Sequence, residues 1–96
     1  MRTIYKYEVP LEGAFSLRMP KETTILSFQI QNFVPVIWAK VETAHVDEDR
    51  RFRLYGTGHP IANIPKDINL HYIGTVTLSQ TPALVWHLFE EVKKNE

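Results

Sequence analysis

Arginine is the side chain best matched to phosphate and carboxylate, because its planar guanidinium offers paired N–H donors. Three arginines stand at 50, 51 and 53, just ahead of Tyr55-Gly56-Thr57-Gly58-His59-Pro60-Ile61. If residues 50–56 form a strand, alternation puts Arg51, Arg53 and Tyr55 on one face and Arg50, Phe52 and Leu54 on the other. Phe52 and Leu54 belong in a core, so the Arg51/Arg53/Tyr55 face looks outward or into a cleft. Gly56 and Gly58 admit positive φ, and a turn built on them can aim its backbone N–H groups at one point, a concavity suited to anions.

Each of these groups matches one part of a nucleotide. Phosphate fits Arg51, Arg53 and the N–H groups of Gly56, Thr57 and Gly58. A base fits the aromatic faces of Tyr55 or Trp38, and sugar hydroxyls fit His59 or Gln29. The pattern is neither the phosphate-binding Gly-x-x-x-x-Gly-Lys-Ser/Thr loop nor a dinucleotide fingerprint, which needs a helix after it. Simpler readings stand beside it. The arginines can form ion pairs with Glu42, Asp47, Glu48 or Asp49, the turn can serve only to end a strand, and Trp38 and Trp86 can be core anchors.

Catalysis and metal binding have weaker grounds. Histidines 45, 59, 71 and 87 lack the short spacings of metal-ligand motifs, so a zinc site from His59, His71 and His87 would need the fold to gather them. His87, beside Trp86, reads as a core-edge histidine satisfied by backbone. Asp67 and Ser79 are potential partners for His59, but nothing in their spacing sets up a triad. No catalytic residue, metal or cofactor is therefore assigned, and capture is favoured over turnover.

The elements that must position these groups read as strands. Alternation predicts strands at 3–9, 14–19, 23–31, 34–43, 50–56, 71–78 and 83–90, with turns marked by Gly13, Met19-Pro20, Gln31-Asn32-Phe33 and Ser79-Gln80-Thr81-Pro82. The 34–43 strand is apolar on both faces around Ile37-Trp38 and so should be central or covered, and Gly74 suggests a bulge or close approach. Residues 44–49 and 57–70 read as loops, 90–94 can make a helical turn, and 91–96 is a charged tail expected to fray. The expected fold is an all-β, mostly antiparallel sandwich or barrel of about seven short strands. Its expected core is Ile4, Phe15, Leu26, Phe28, Ile30, Ile37, Val41, Phe52, Leu54, Val76, Leu84 and Phe89.

Composition sets outer bounds. At 96 residues and 44% hydrophobic content the chain is a single globular domain spanning 1–96. Eleven basic residues balance eleven acidic ones, which argues against bulk nucleic-acid binding. The chain has no cysteine, so disulfides, thiolate metal sites and a cysteine nucleophile are excluded, and a reducing cytoplasm is the fitting location. Neither a signal-peptide core nor an apolar run of membrane length is seen. Open sheet edges, with Trp38 and Phe33 facing outward, favour a homo-oligomer, a dimer first.

Several pieces carry a resemblance across nearly the whole chain: Ile4-Tyr5-Lys6-Tyr7, Met19-Pro20, Gln29-Ile30-Gln31-Asn32, Trp38-Ala39-Lys40-Val41, Arg51-Phe52-Arg53, Gly56-Thr57-Gly58-His59-Pro60-Ile61, Tyr72-Ile73-Gly74-Thr75 and Val85-Trp86-His87-Leu88-Phe89. The chain resembles a widespread group of small phage and prophage proteins of unknown function. It departs from them at Phe33, where the resemblance calls for glycine after Gln-Asn. The resemblance implies a phage setting and, by analogy of class, an anti-defence role: sequestering an anionic nucleotide-like host signal in the host cytoplasm. The alternative is a protein-binding module, either an inhibitor of a host protein or a virion accessory part.

Overall fold

The computed structural model describes residues 1–80 and 83–95. Seven strands occur in chain order: β1 (Arg2–Glu8), β2 (Ala14–Pro20), β3 (Thr24–Gln31), β4 (Val34–Glu42), β5 (Asp47–Gly56), β6 (Ile68–Gln80) and β7 (Ala83–Lys93). They form two antiparallel sheets, ordered β1-β4-β3 and β2-β5-β7-β6. The two layers enclose the core, and β3 runs close to β6 along one flank. The all-β sandwich expected from alternation is the fold observed.

Strand order follows from burial. β4 is apolar on both faces and sits between β1 and β3. Its Ile37, Ala39 and Val41 point into the core, where they meet Phe15, Met19, Phe28, Phe52, Leu54, Val76 and Leu88. Phe15 lies opposite Phe52 across the β2–β5 ladder, and their rings stack with centroids 5.5 Å apart. One end of this core is closed by charge. The Arg50 guanidinium donates to both oxygens of Glu90, at 2.6 and 2.7 Å, and to the Thr23 carbonyl at 2.5 Å. That hydrogen bonding outweighs the cost of burial and holds Arg50 more firmly protonated than a free arginine.

Several expectations change. Leu26 is the extra residue of a β-bulge between Ile25 and Ser27, so it turns out to solvent while Ile25 takes the inward place. Ile4 lies on the outer face of an edge strand and Leu84 at the mouth of the sandwich, both exposed, and Phe89 lies on the outer face of the β2-β5-β7-β6 sheet with its ring against Tyr55 and Tyr72. Met19 and Leu88, fully buried, fill the core instead. The charged segments expected as loop, helical turn and tail continue the ladders: β5 starts at Asp47, β6 at Ile68, and β7 runs to Lys93. The 90–94 segment is therefore extended, and the Lys94 N–H donates to the Asp67 carbonyl at 2.7 Å. Of the expected turn after β6, Thr81 and Pro82 lie outside the described residues.

Two expectations at special backbone positions hold. The β3–β4 hairpin turns on Asn32 and Phe33 alone, with φ of 50° and 66°, both in the left-handed region that two-residue hairpin turns require. Gly74 sits at a register shift in β6, where an added Cβ would lie 3.3 Å from the Phe28 Cβ.

Candidate functional site

The β5 strand divides the expected site residues as alternation requires. Arg51, Arg53 and Tyr55 lie on the outer face of the β2-β5-β7-β6 sheet, while Phe52 and Leu54 enter the core. The two arginines are not waiting for an anion, because the protein supplies one. The Glu91 carboxylate, with its side chain 7% exposed, sits between them: Arg53 Nε is 2.5 Å from Oε2 and Arg51 Nε is 3.6 Å from Oε1. Arg51 also donates to Ser16 Oγ at 3.2 Å. The hydrogen bond to Glu91 holds Arg53 above the ordinary arginine value. The ion-pair reading thus describes the arginines, but through Glu91 rather than the acids named beforehand. Of those, Asp49 pairs with Arg18 and Glu42 with the N-terminal ammonium, which holds the Glu42 carboxyl below its usual value.

The glycine turn closes on itself. The Gly56 N–H donates to His59 Nδ1 at 3.2 Å, the His59 N–H to the Gly56 carbonyl at 3.0 Å, and the Thr57 N–H to the Val85 carbonyl at 3.2 Å. These amides therefore do not converge on an external anion, as the sequence suggested they could. Because Nδ1 accepts, the ring proton of neutral His59 resides on Nε2. A Cβ at Gly56 would lie 2.7 Å from His59 Cε1, so glycine there is what lets the imidazole fold back over the strand end. Gly58 takes φ of +87°, the geometry glycine permits at low cost.

Trp38 and Gln29 do not join this group. They lie on the outer face of the β1-β4-β3 sheet, opposed in register to Lys6, Ser27 and Val36, with the core between them and the arginines. The indole next to the turn is Trp86, whose ring meets His59 edge to face at 5.9 Å. Gly56 is opposite Trp86 in the β5–β7 ladder, which fixes this meeting. The sequence signal for it lay in the two most distinctive pieces, Gly-Thr-Gly-His-Pro and Trp-His-x-Phe, whose adjacency only the ladder reveals.

Gly56, Thr57, His59, Ala83, Leu84, Val85 and Trp86 line an open cleft of about 320 Å³. Most of its wall is apolar, with imidazole and hydroxyl groups at the edge. Trp86 Nε1 is closed off from solvent and, among the described residues, has no hydrogen-bond partner, a cost proteins seldom leave unmet. From Thr57 a polar chain crosses the outer face: Thr57 Oγ1 lies 2.7 Å from His87 Nε2, His87 Nδ1 2.9 Å from Thr75 Oγ1, and Thr75 Oγ1 2.5 Å from the Tyr72 hydroxyl. His87 is satisfied by two hydroxyls rather than by backbone.

The fold and cleft define a small two-sheet β domain with an aromatic-walled recess at one end, opposite the end closed by Arg50 and Glu90. A family model described as a domain of unknown function, DUF7352, matches residues 1–96, and the chain belongs to that family. Searches of curated proteins and of solved structures find no match.

Proposed function

We propose that this domain is a small-ligand-binding protein that holds a nucleotide-like molecule without altering it, seating the planar base in the cleft that His59 and Trp86 line together. The observation that carries the reading is the cleft itself: about 320 Å³, apolar walls, and an indole, an imidazole and a hydroxyl as the orienting groups. That volume is at the low end of small-molecule sites, which run from roughly 300 to 1,000 Å³. A base or nucleoside fills it, and phosphates would extend past its mouth into solvent. The arginines then serve the fold through Glu91, so recognition rests on the aromatic part of the ligand.

Capture is favoured over turnover by the group behind His87. Thr57 and His87 are spaced as a nucleophile and its base would be. The other ring nitrogen meets the Thr75 hydroxyl, however, and a hydroxyl stabilises an imidazolium far less than a carboxylate would. With the phage resemblance, the biological sense is sequestration of a host defence signal in the host cytoplasm.

A thermal-shift screen over nucleosides, cyclic dinucleotides, cyclic trinucleotides and ADP-ribose derivatives tests this. A ligand at 100 times its Kd should add about 2.7 kcal/mol of stability. The gain should vanish in His59→Ala and persist in Arg53→Ala. No shift with any compound overturns the reading. The protein-binding alternative has one observation in its favour: Phe33 is 87% exposed and held at positive φ. In that case Phe33→Ala, and not His59→Ala, would abolish capture of a partner protein.

A further inference from the structure

We propose that the free edge of β1 is a self-complementary interface, and that two copies of the chain join their β1 strands antiparallel about a two-fold axis through Tyr5. β1 is an edge strand, paired on one side only. The direction of its backbone groups is fixed by the ladder with β4. The Thr43 N–H donates to the Met1 carbonyl and the Val9 N–H to the Pro35 carbonyl, both at 2.9 Å. In this register the odd-numbered residues of β1 turn their N–H and C=O groups toward β4. Arg2, Ile4, Lys6 and Glu8 therefore turn theirs outward, unpaired, in the way that templates another strand.

Only some registers match outward groups with outward groups, and side-chain charge selects among them. With the axis at Ile4, Arg2 faces the partner's Lys6. With the axis at Lys6, that residue faces its own copy. With the axis at Tyr5, Arg2 faces the partner's Glu8, Ile4 faces the partner's Lys6, and Thr3 faces the partner's Tyr7. This last register uses the whole strand and places opposite charges together at both ends; the axes at Ile4 and Lys6 oppose like charges, and an axis at Tyr7, which sets Lys6 against the partner's Glu8, pairs only the last three residues of the strand. Among the described residues neither Arg2 nor Glu8 has an ion-pair partner within the chain. Ile4 and Tyr5 are 58% and 43% exposed, apolar surface that the pairing would cover. The product is a continuous sheet β3-β4-β1-β1-β4-β3 across the two copies, a closed isologous assembly with no further β1 edge to extend.

Charge reversal and cross-linking test the register. Light scattering should find a dimer in the wild type. Glu8→Arg, which opposes Arg2 with arginine at both ends, should weaken dimerisation at least about tenfold. Adding Arg2→Glu to it should restore the dimer. Tyr5→Cys supplies the only thiol in the chain. It lies at a non-hydrogen-bonded pair with Cα atoms about 4.5 Å apart, so mild oxidation should link it to its own copy. A monomer at high micromolar concentration overturns the proposal. So does a dimer that ignores the charge reversal and leaves Tyr5→Cys unlinked. These outcomes are independent of any ligand in the His59–Trp86 cleft.

Discussion

Replacing Phe33 with glycine should make the domain more stable, although it removes the bulkiest side chain of the β3–β4 turn. Phe33 has φ of 66° and is 87% exposed. The left-handed conformation costs an ordinary L-residue about 1–2 kcal/mol, because its Cβ crowds the following carbonyl. Glycine removes that cost, at an entropic penalty of about 0.5–1 kcal/mol from the greater freedom of the unfolded chain. A ring so exposed has little burial to lose. The net gain is about 0.5–1 kcal/mol, or roughly 4 °C in Tm for a domain of this size. Urea titration with an unchanged slope would show it as a higher midpoint. Phe33→Ala keeps the strained φ and should gain nothing. If glycine and alanine destabilise equally, the reasoning fails: the ring must then be buried against something, and a partner-docking role for Phe33 becomes the better account.

Further outcomes are expected elsewhere. Leu88→Ala should cost about 3 kcal/mol, since Leu88 is fully buried at the centre of β7; a loss below 1 kcal/mol in chemical denaturation would contradict that packing. Glu91→Gln should cost about 2 kcal/mol by leaving Arg53 without its anion in a poorly solvated place. An inorganic phosphate titration should then stabilise this variant more than the wild type. Gly56→Ala should leave the domain folded, within about 1 kcal/mol of wild type, because the clashing atom belongs to the flexible His59 side chain. It should nonetheless abolish ligand-induced thermal shifts by displacing that ring from the cleft.

Much of the fold was legible because alternation is a local signal. Phe15, Phe28, Ile37, Phe52 and Leu54 all fall on inward faces, and the apolar Val36–Val41 stretch does lie centrally between two neighbours. Leu26 failed because one bulge resets the count for every residue before it, and no residue type in Thr24–Ser27 announces that bulge. The charged ends of β5 and β7 read as loop and tail because the partners of their buried charges lie on distant strands. Arg50 finds Glu90, and Arg53 finds Glu91, 40 and 38 residues away. The candidate site was half legible for the same reason. The turn and its glycines are contiguous, so His59 and Thr57 were identified. Whether Trp38 or Trp86 stands beside them depends on which strand pairs with Gly56, and that is decided by sheet order.

The two indoles make the central claim directly measurable. Trp86 borders the proposed cleft and Trp38 lies on the opposite layer, so one acts as reporter and the other as internal control. In a ¹H–¹⁵N correlation spectrum the indole N–H peaks of both are followed as the nucleotide panel is titrated. The Trp86 peak should shift saturably with one of the compounds while the Trp38 peak stays in place, and His59→Ala should remove the effect. A spectrum in which Trp86 never moves, or in which Trp38 moves and Trp86 does not, would contradict a ligand site in the cleft lined by His59 and Trp86.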